Sequence, residues 1–150
     1  MYFSSNRTGR SQIWKAPAEG GDPIQITREG GAYAVETMDG RNLYYVTQEP
    51  PSAIRYTTVN GGEERQLINN VVGYSSLAMG VDGLYYLAAL TPTSARLEVF
   101  DFTTQTRRPV LSIDRPVHHF LSSPPDGRSI LYTRIDREDS DLMLRRLRRE

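Results

Sequence analysis

Short apolar runs entered through tight polar turns set the rhythm of this chain. The clearest is Leu43-Tyr44-Tyr45-Val46 behind Met38-Asp39-Gly40-Arg41. The pairing returns as Val81-Asp82-Gly83-Leu84-Tyr85-Tyr86-Leu87 and as Pro125-Asp126-Gly127-Arg128-Ser129-Ile130-Leu131-Tyr132, and Met1-Tyr2-Phe3-Ser4 supplies the apolar half of a further copy. Asp39 to Asp82 is 43 residues, Asp82 to Asp126 is 44, and Gly20-Gly21 recurs 41 residues on as Gly61-Gly62. A period of about 40–45 residues is that of a propeller blade. A helical repeat of this length would need apolar residues at helical spacing over roughly ten positions, and no segment sustains that pattern.

Taken in order, Met1–Ser4 and Ser11–Lys15 flank the polar Asn6–Arg10 segment and predict a hairpin. A Gly20-Gly21 turn then leads to an outer strand over Pro23–Thr27, where a proline is tolerated. The second unit predicts four strands, over Ala32–Glu36, Asn42–Thr47, Ala53–Val59 and Glu64–Ile68, with the Asp39-Gly40 and Gly61-Gly62 turns between them. The continuous apolar run of its second strand suits burial on both faces. The third predicts Tyr74–Ala78, Leu84–Ala88, Leu97–Asp101 and Arg108–Leu111, with Thr103–Thr106 replacing the Gly-Gly turn. The fourth predicts His118–Leu121, Ile130–Thr133 and Asp141–Arg145.

The expected fold is all-β: a propeller segment of about four blades of antiparallel four-stranded sheets, the first and last incomplete. The whole of 1–150 reads as one partial propeller domain, with blades near 1–28, 32–69, 73–112 and 117–147. Gly20, Gly21, Asp39, Gly40, Gly61, Gly62, Asp82, Gly83, Asp126 and Gly127 are the expected structural turns. Phe3, Trp14, Tyr44, Tyr45, Tyr85, Tyr86 and Tyr132 recur at related positions and are expected to pack blade against blade.

Composition narrows the function. Lys+Arg and Asp+Glu are both 18, so no global field draws in nucleic acid or an anionic membrane. Zero cysteines remove disulfides, thiolate chemistry and cysteine-zinc sites. No apolar stretch reaches the roughly 18 residues of a membrane-spanning helix.

The candidates for chemistry are few. Gly73-Tyr74-Ser75-Ser76-Leu77 is the nearest string to a hydrolase nucleophile motif and lacks its final glycine. His118 and His119 are adjacent, so on a strand they face opposite sides unless a bulge intervenes. Asp136, Glu138, Asp139 and Asp141 offer carboxylates at a hairpin tip without the spacing of a calcium loop. Arg145, Arg146, Arg148 and Arg149 make a basic end that reads as a solvated strand terminus. No catalytic, cofactor or metal residues are assigned. The loops that break the repeat, Gln48–Ser52 and Leu90–Arg96, are the expected partner contacts.

Tyr2-Phe3-Ser4-Ser5-Asn6-Arg7 with Gln12-Ile13-Trp14, Pro17-Ala18-Glu19-Gly20-Gly21, and Ser123-Pro124-Pro125-Asp126-Gly127-Arg128 resemble the blade motifs of the TolB-like, WD40-like (PD40) β-propeller family. The sequence departs from that pattern in the inserted Pro125 and in the Asp39-Gly40 and Asp82-Gly83 corners, which lack the usual proline. The resemblance implies a non-catalytic module for protein interaction or ligand sensing, within a longer bacterial protein such as a winged-helix regulator or kinase. The alternatives it implies are the substrate-gating propeller of a prolyl-oligopeptidase-type peptidase and a periplasmic Tol-type scaffold. A protein or peptide partner is expected, with no nucleic acid, membrane or cofactor. The compartment stays open between cytoplasm and periplasm. The motif count also predicts about fourteen strands in an open arc, self-associating through its terminal blades, as part of a longer propeller or of a ring built from two copies.

Overall fold

The computed structural model describes residues 1–124, 126–136 and 140–146, with the backbone alone for His119, Ser140, Asp141 and Arg146. Among the described residues all regular structure is β, and fourteen strands form four antiparallel sheets. The chain divides into two compact units, Met1–Ser75 and Ser76–Glu150, each holding two sheets.

In the first unit, β1 (Tyr2–Ser5), β2 (Gln12–Lys15) and β3 (Ile24–Gln25) form a three-stranded sheet in chain order. The expected outer strand shrinks to two residues. Beyond it, the backbone of Ile26 donates to the Ile13 carbonyl at 2.9 Å, and the Thr27 hydroxyl accepts from the Ile13 N–H at 2.9 Å while donating to Gln12 Oε1 at 3.0 Å. The Gln12 amide also accepts from the Gly30 N–H at 3.0 Å and donates to the Arg28 carbonyl at 3.1 Å. Gln12 and Thr27 are buried polar residues with their bonding satisfied, and they fix the path of the chain into the next sheet.

That second sheet runs β4 (Tyr33–Glu36), β5 (Asn42–Val46), β6 (Ile54–Thr58) and β7 (Arg65–Ile68) in chain order. Leu43 to Val46 are all buried, as a continuous apolar run requires. Leu43 and Tyr45 pack with Ile13 of the first sheet and with Ile26 just beyond it, with Tyr2 and Ala34 against the cluster. Each fully buried aliphatic side chain contributes about 1.5–3 kcal/mol relative to exposure. The sheets approach so closely that a Cβ on Gly31 would lie 2.6 Å from Ile13 Cγ1. A side chain there would push the two sheets apart.

In the second unit, β8 (Leu77–Met79), β9 (Gly83–Thr91), β10 (Ser94–Asp101) and β11 (Arg107–Ile113) form one sheet. The other holds β12 (Val117–Ser122), β13 (Ser129–Ile135) and β14 (Ser140–Arg146). Leu77, Leu84, Tyr86, Leu87, Leu97, Leu121 and Ile130 are the unit's largest fully buried side chains. The two turns of this unit touch: a Cβ on Gly127 would lie 2.7 Å from Val81 Cγ2.

The first and last sheets have three strands and the middle two have four, as the motif count predicted. Two local expectations are corrected. Tyr74 does not begin the inner strand of the third sheet: it is exposed with a left-handed φ of 55°, and the strand starts only at Leu77. Leu90–Arg96 is not an irregular loop. β9 runs to Thr91 and β10 begins at Ser94, so the segment is the tip of a long hairpin turning at Pro92-Thr93.

Candidate interaction surface

The Asp-Gly corners show two constructions. At Asp39-Gly40, the Asp39 carboxylate accepts from the Thr37 hydroxyl at 2.6 Å and the Arg41 N–H at 3.1 Å, and Gly40 takes a φ of 67°. These bonds hold the Asp39 carboxyl below its usual range, the Thr37 hydroxyl contributing most. Asp126-Gly127 repeats the device, with the Arg128 N–H donating to Asp126 at 3.0 Å and Gly127 at φ 62°. Pro125 lies outside the described residues. Gly20, Gly21, Gly61 and Gly62 also have positive φ.

Asp82-Gly83 is a correction. Gly83 is the first residue of β9 and takes no left-handed φ, and a Cβ there would lie 2.2 Å from the Phe100 carbonyl oxygen. The connection from β8 to β9 lacks the residues equivalent to Arg41 and Asn42, which draws this glycine into the sheet, where space rather than φ excludes a side chain. The Thr103–Thr106 corner substitutes for Gly-Gly in a different way. The Asp101 carboxylate accepts from the Thr103 and Thr104 N–H groups at 2.8 and 2.9 Å, which lowers its pKa, the Thr104 bond being the largest cause.

The aromatic positions do several jobs. Tyr45 lies in the packed cluster between the first two sheets, and its hydroxyl donates to the Glu64 carboxylate. Glu64 also accepts from the backbone N–H groups of Arg28 at 2.7 Å and Glu29 at 3.0 Å, so one side chain before β7 clasps the segment that follows the first sheet. Burial first, and then the carboxylate bond, push the Tyr45 phenol well above the ordinary tyrosine range. Tyr86 has the same environment, its hydroxyl donating to Glu98 at 2.5 Å across its own sheet. Tyr44 stacks on Tyr56 at 5.5 Å, Tyr85 is buried over the backbone at Gly80, and Tyr132 is buried in the last sheet. Phe3 and Trp14 face each other across β1 and β2, and the Arg7 guanidinium lies over both rings, 5.4 and 4.6 Å from their centroids. Glu64 belongs to none of the blade motifs, and its clasp on Arg28 and Glu29 joins segments 35 and 36 residues apart.

The surface that departs most from the repeat is the β9–β10 hairpin. β8 pairs with Leu84 to Tyr86 alone, while β9 and β10 continue past it to a tip of exposed Leu90, Thr91, Pro92 and Thr93. The Thr91 and Ser94 hydroxyls close the tip at 2.6 Å. The other expected contact, Gln48–Ser52, is likewise exposed at Gln48's neighbour Glu49, which pairs loosely with Arg10 at 3.6 Å, and Gln48 donates to the Tyr74 hydroxyl at 3.1 Å.

The remaining candidates gather into no site. β12 carries both histidines, and its register with β13 shifts between Val117 and Leu121, but the His119 side chain lies outside the described residues. Ser76 is buried with its hydroxyl unpartnered, and Ser75 sits just before β8. Asp136 pairs with Arg134 at 2.7 Å, whereas Arg137, Glu138, Asp139 and the Asp141 side chain lie outside the described residues, as do Arg148, Arg149 and the Arg146 side chain. Arg145 is exposed on β14. Among the described residues no three His, Cys, Asp or Glu side chains group to hold a metal ion.

No family model and no curated protein matches the sequence. Solved structures do. A TolB of Acinetobacter baumannii superposes with a TM-score of 0.74 at 15% identity, over 97% of this chain and 40% of its own. A protein described as a TolB of Agrobacterium tumefaciens gives 0.71 at 14% identity, over 90% and 51%. A chain of a nidogen/laminin complex gives 0.62 at 20% identity, over 88% and 51%. The chain therefore spans 40 to 51% of the length of these structures. Its four antiparallel sheets have the β-propeller fold of the TolB proteins.

Proposed function

We propose that this chain is a non-catalytic β-propeller module that binds a protein or peptide, within a longer bacterial protein such as a winged-helix regulator or kinase. The observation that carries the reading is the β9–β10 hairpin. Tyr44, Tyr45, Tyr85, Tyr86 and Tyr132 are buried, while this hairpin extends beyond β8 and presents Leu90, Pro92 and Thr93 to solvent. An apolar residue beside a turn proline on a rigid two-stranded support is a suitable contact for another chain, since little conformational freedom is lost on binding. The matched chain of the nidogen/laminin complex, similar in fold, was solved beside a protein partner, which supports the reading.

A photo-crosslinking residue at Thr93, compared with one at the exposed Glu19, tests the reading in cells. The expected result is a discrete adduct from Thr93 alone, whose purified partner binds the chain and loses affinity when the tip is shortened. Equal crosslinking from both positions overturns the docking role. Hydrolysis of peptidyl or ester substrates that disappears in Ser75→Ala overturns the non-catalytic assignment.

A further inference from the structure

The strand register makes the second and third sheets correspond residue by residue. Tyr45 pairs with Arg55, and Tyr86 pairs with Glu98. The residues after these, Tyr56 and Val99, pair with Arg65 and Arg108 on the outer strands, so Glu64 and Arg107, one step earlier, also correspond. The outer strands share an irregularity, the register shifting between Ile54 and Arg55 in one sheet and between Leu97 and Glu98 in the other.

Charge at these corresponding positions is reversed. In the second sheet the third strand carries the cation, Arg55, and the anion is Glu64, just before the outer strand, whose carboxylate accepts from the Tyr45 hydroxyl. The Arg55 guanidinium donates to the Glu64 carbonyl at 3.3 Å. In the third sheet the third strand carries the anion, Glu98, which accepts from the Tyr86 hydroxyl at 2.5 Å, and the outer strand begins with the cation, Arg107. Arg55 and Arg107 reach the same two hydroxyls, Tyr45 and Tyr86 respectively. Both tyrosines are 0% exposed, so neither phenol can turn to water for a missing partner.

Exchanging the outer strands would break both arrangements. Arg107 would join Arg55 at Tyr45 and leave the phenol without a carboxylate, while Glu64 would join Glu98 at Tyr86. Like charges opposed across a sheet are destabilising. The strands at the centre of these sheets are otherwise alike, Leu43-Tyr44-Tyr45-Val46 in one and Leu84-Tyr85-Tyr86-Leu87 in the other. Misassembly between such repeats is a characteristic failure of repeat proteins.

We propose that the reversed charge pairs, Arg55 with Glu64 and Glu98 with Arg107, select which outer strand completes which sheet, β7 for the second and β11 for the third. The selection works by repulsion in the wrong pairing as much as by attraction in the right one.

Reversing the third-sheet pair tests this and leaves the Glu64 clasp on Arg28 and Glu29 intact. In urea, Glu98→Arg and Arg107→Glu are each expected to be less stable than wild type, and the double variant to recover most of the loss, because it remakes the pair in the order of the second sheet. Should Glu98→Arg alone fail to fold, Glu98→Gln supplies that single variant. Strand choice is read separately. The chain has no cysteine of its own, so Tyr56→Cys with Arg108→Cys reports β11 captured on β6 during oxidative refolding. This disulfide is expected to be scarce in the otherwise wild-type chain and several-fold more abundant when Glu98→Arg and Arg107→Glu are added, since both outer strands then bring an anion. A double variant no more stable than its singles overturns the proposal, because the charges then do not act as pairs. A stable double variant that gives no more disulfide than wild type overturns it as well, because the charges then pair without selecting.

Discussion

The Tyr45 phenol and the Glu64 carboxylate are joined by a hydrogen bond, and the same carboxylate holds the backbone N–H groups of Arg28 and Glu29. Removing the acceptor leaves three donors to find other partners. Glu64→Ala is expected to cost about 1–3 kcal/mol, and Tyr45→Phe less, about 0.5–1.5 kcal/mol, because the phenylalanine retains the packing. Urea denaturation of both single variants and the double variant checks this. Additive losses would show that the two groups do not act together.

The corner glycines should separate by mechanism. At Gly40 an added Cβ meets only the end of the Glu36 side chain, at 3.2 Å, and the cost comes from the left-handed φ. At Gly83 it meets the Phe100 backbone oxygen at 2.2 Å, which cannot move without opening the β9–β10 ladder. Gly40→Ala is expected to cost about 1 kcal/mol and Gly83→Ala more than 2 kcal/mol. Melting temperatures in that order support the assignment, and equal values count against it.

The raised phenols of Tyr2, Tyr45 and Tyr86 make the fold sensitive to alkali. Their folded pKa values lie above the unfolded value of about 10. The stability they contribute is therefore complete below pH 10 and is lost as the pH rises from there through the folded pKa, since the unfolded chain ionises first. Denaturation midpoints are expected to fall above about pH 10, and to fall less in Tyr45→Phe.

Asp39 and Asp101 act at the other end of the scale. Both carboxyls are lowered by hydrogen bonds in their turns, so what they contribute is present above the unfolded value of about 3.9 and disappears as the pH falls through the folded one. Asp101→Ala is expected to be less stable than wild type at neutral pH, with the difference closing in acid. A gap that stays constant down to the acid limit would assign the effect to backbone conformation.

Alternation and turn chemistry are local, and they were enough to give the four sheets and their three- and four-stranded counts, though not the bounds of every strand. Leu43 to Val46 reads as a doubly buried strand because four consecutive apolar residues leave it no solvent face. What the tertiary structure decided depends on residues far apart in the chain. The Gln12 and Thr27 bonds, the Glu64 clasp and the crowding at Gly83 each join segments whose meeting no short pattern records. The β9–β10 tip looked like a loop because Thr91, Pro92 and Thr93 are turn-forming residues, while the pairing that extends the strands to its base comes from backbone groups common to every sequence. The leucines of β14 were legible as apolar positions, but the exposure of Leu142 and Leu144 was not. Burial belongs to the neighbouring sheet, and a strand's own sequence fixes only which face would receive it.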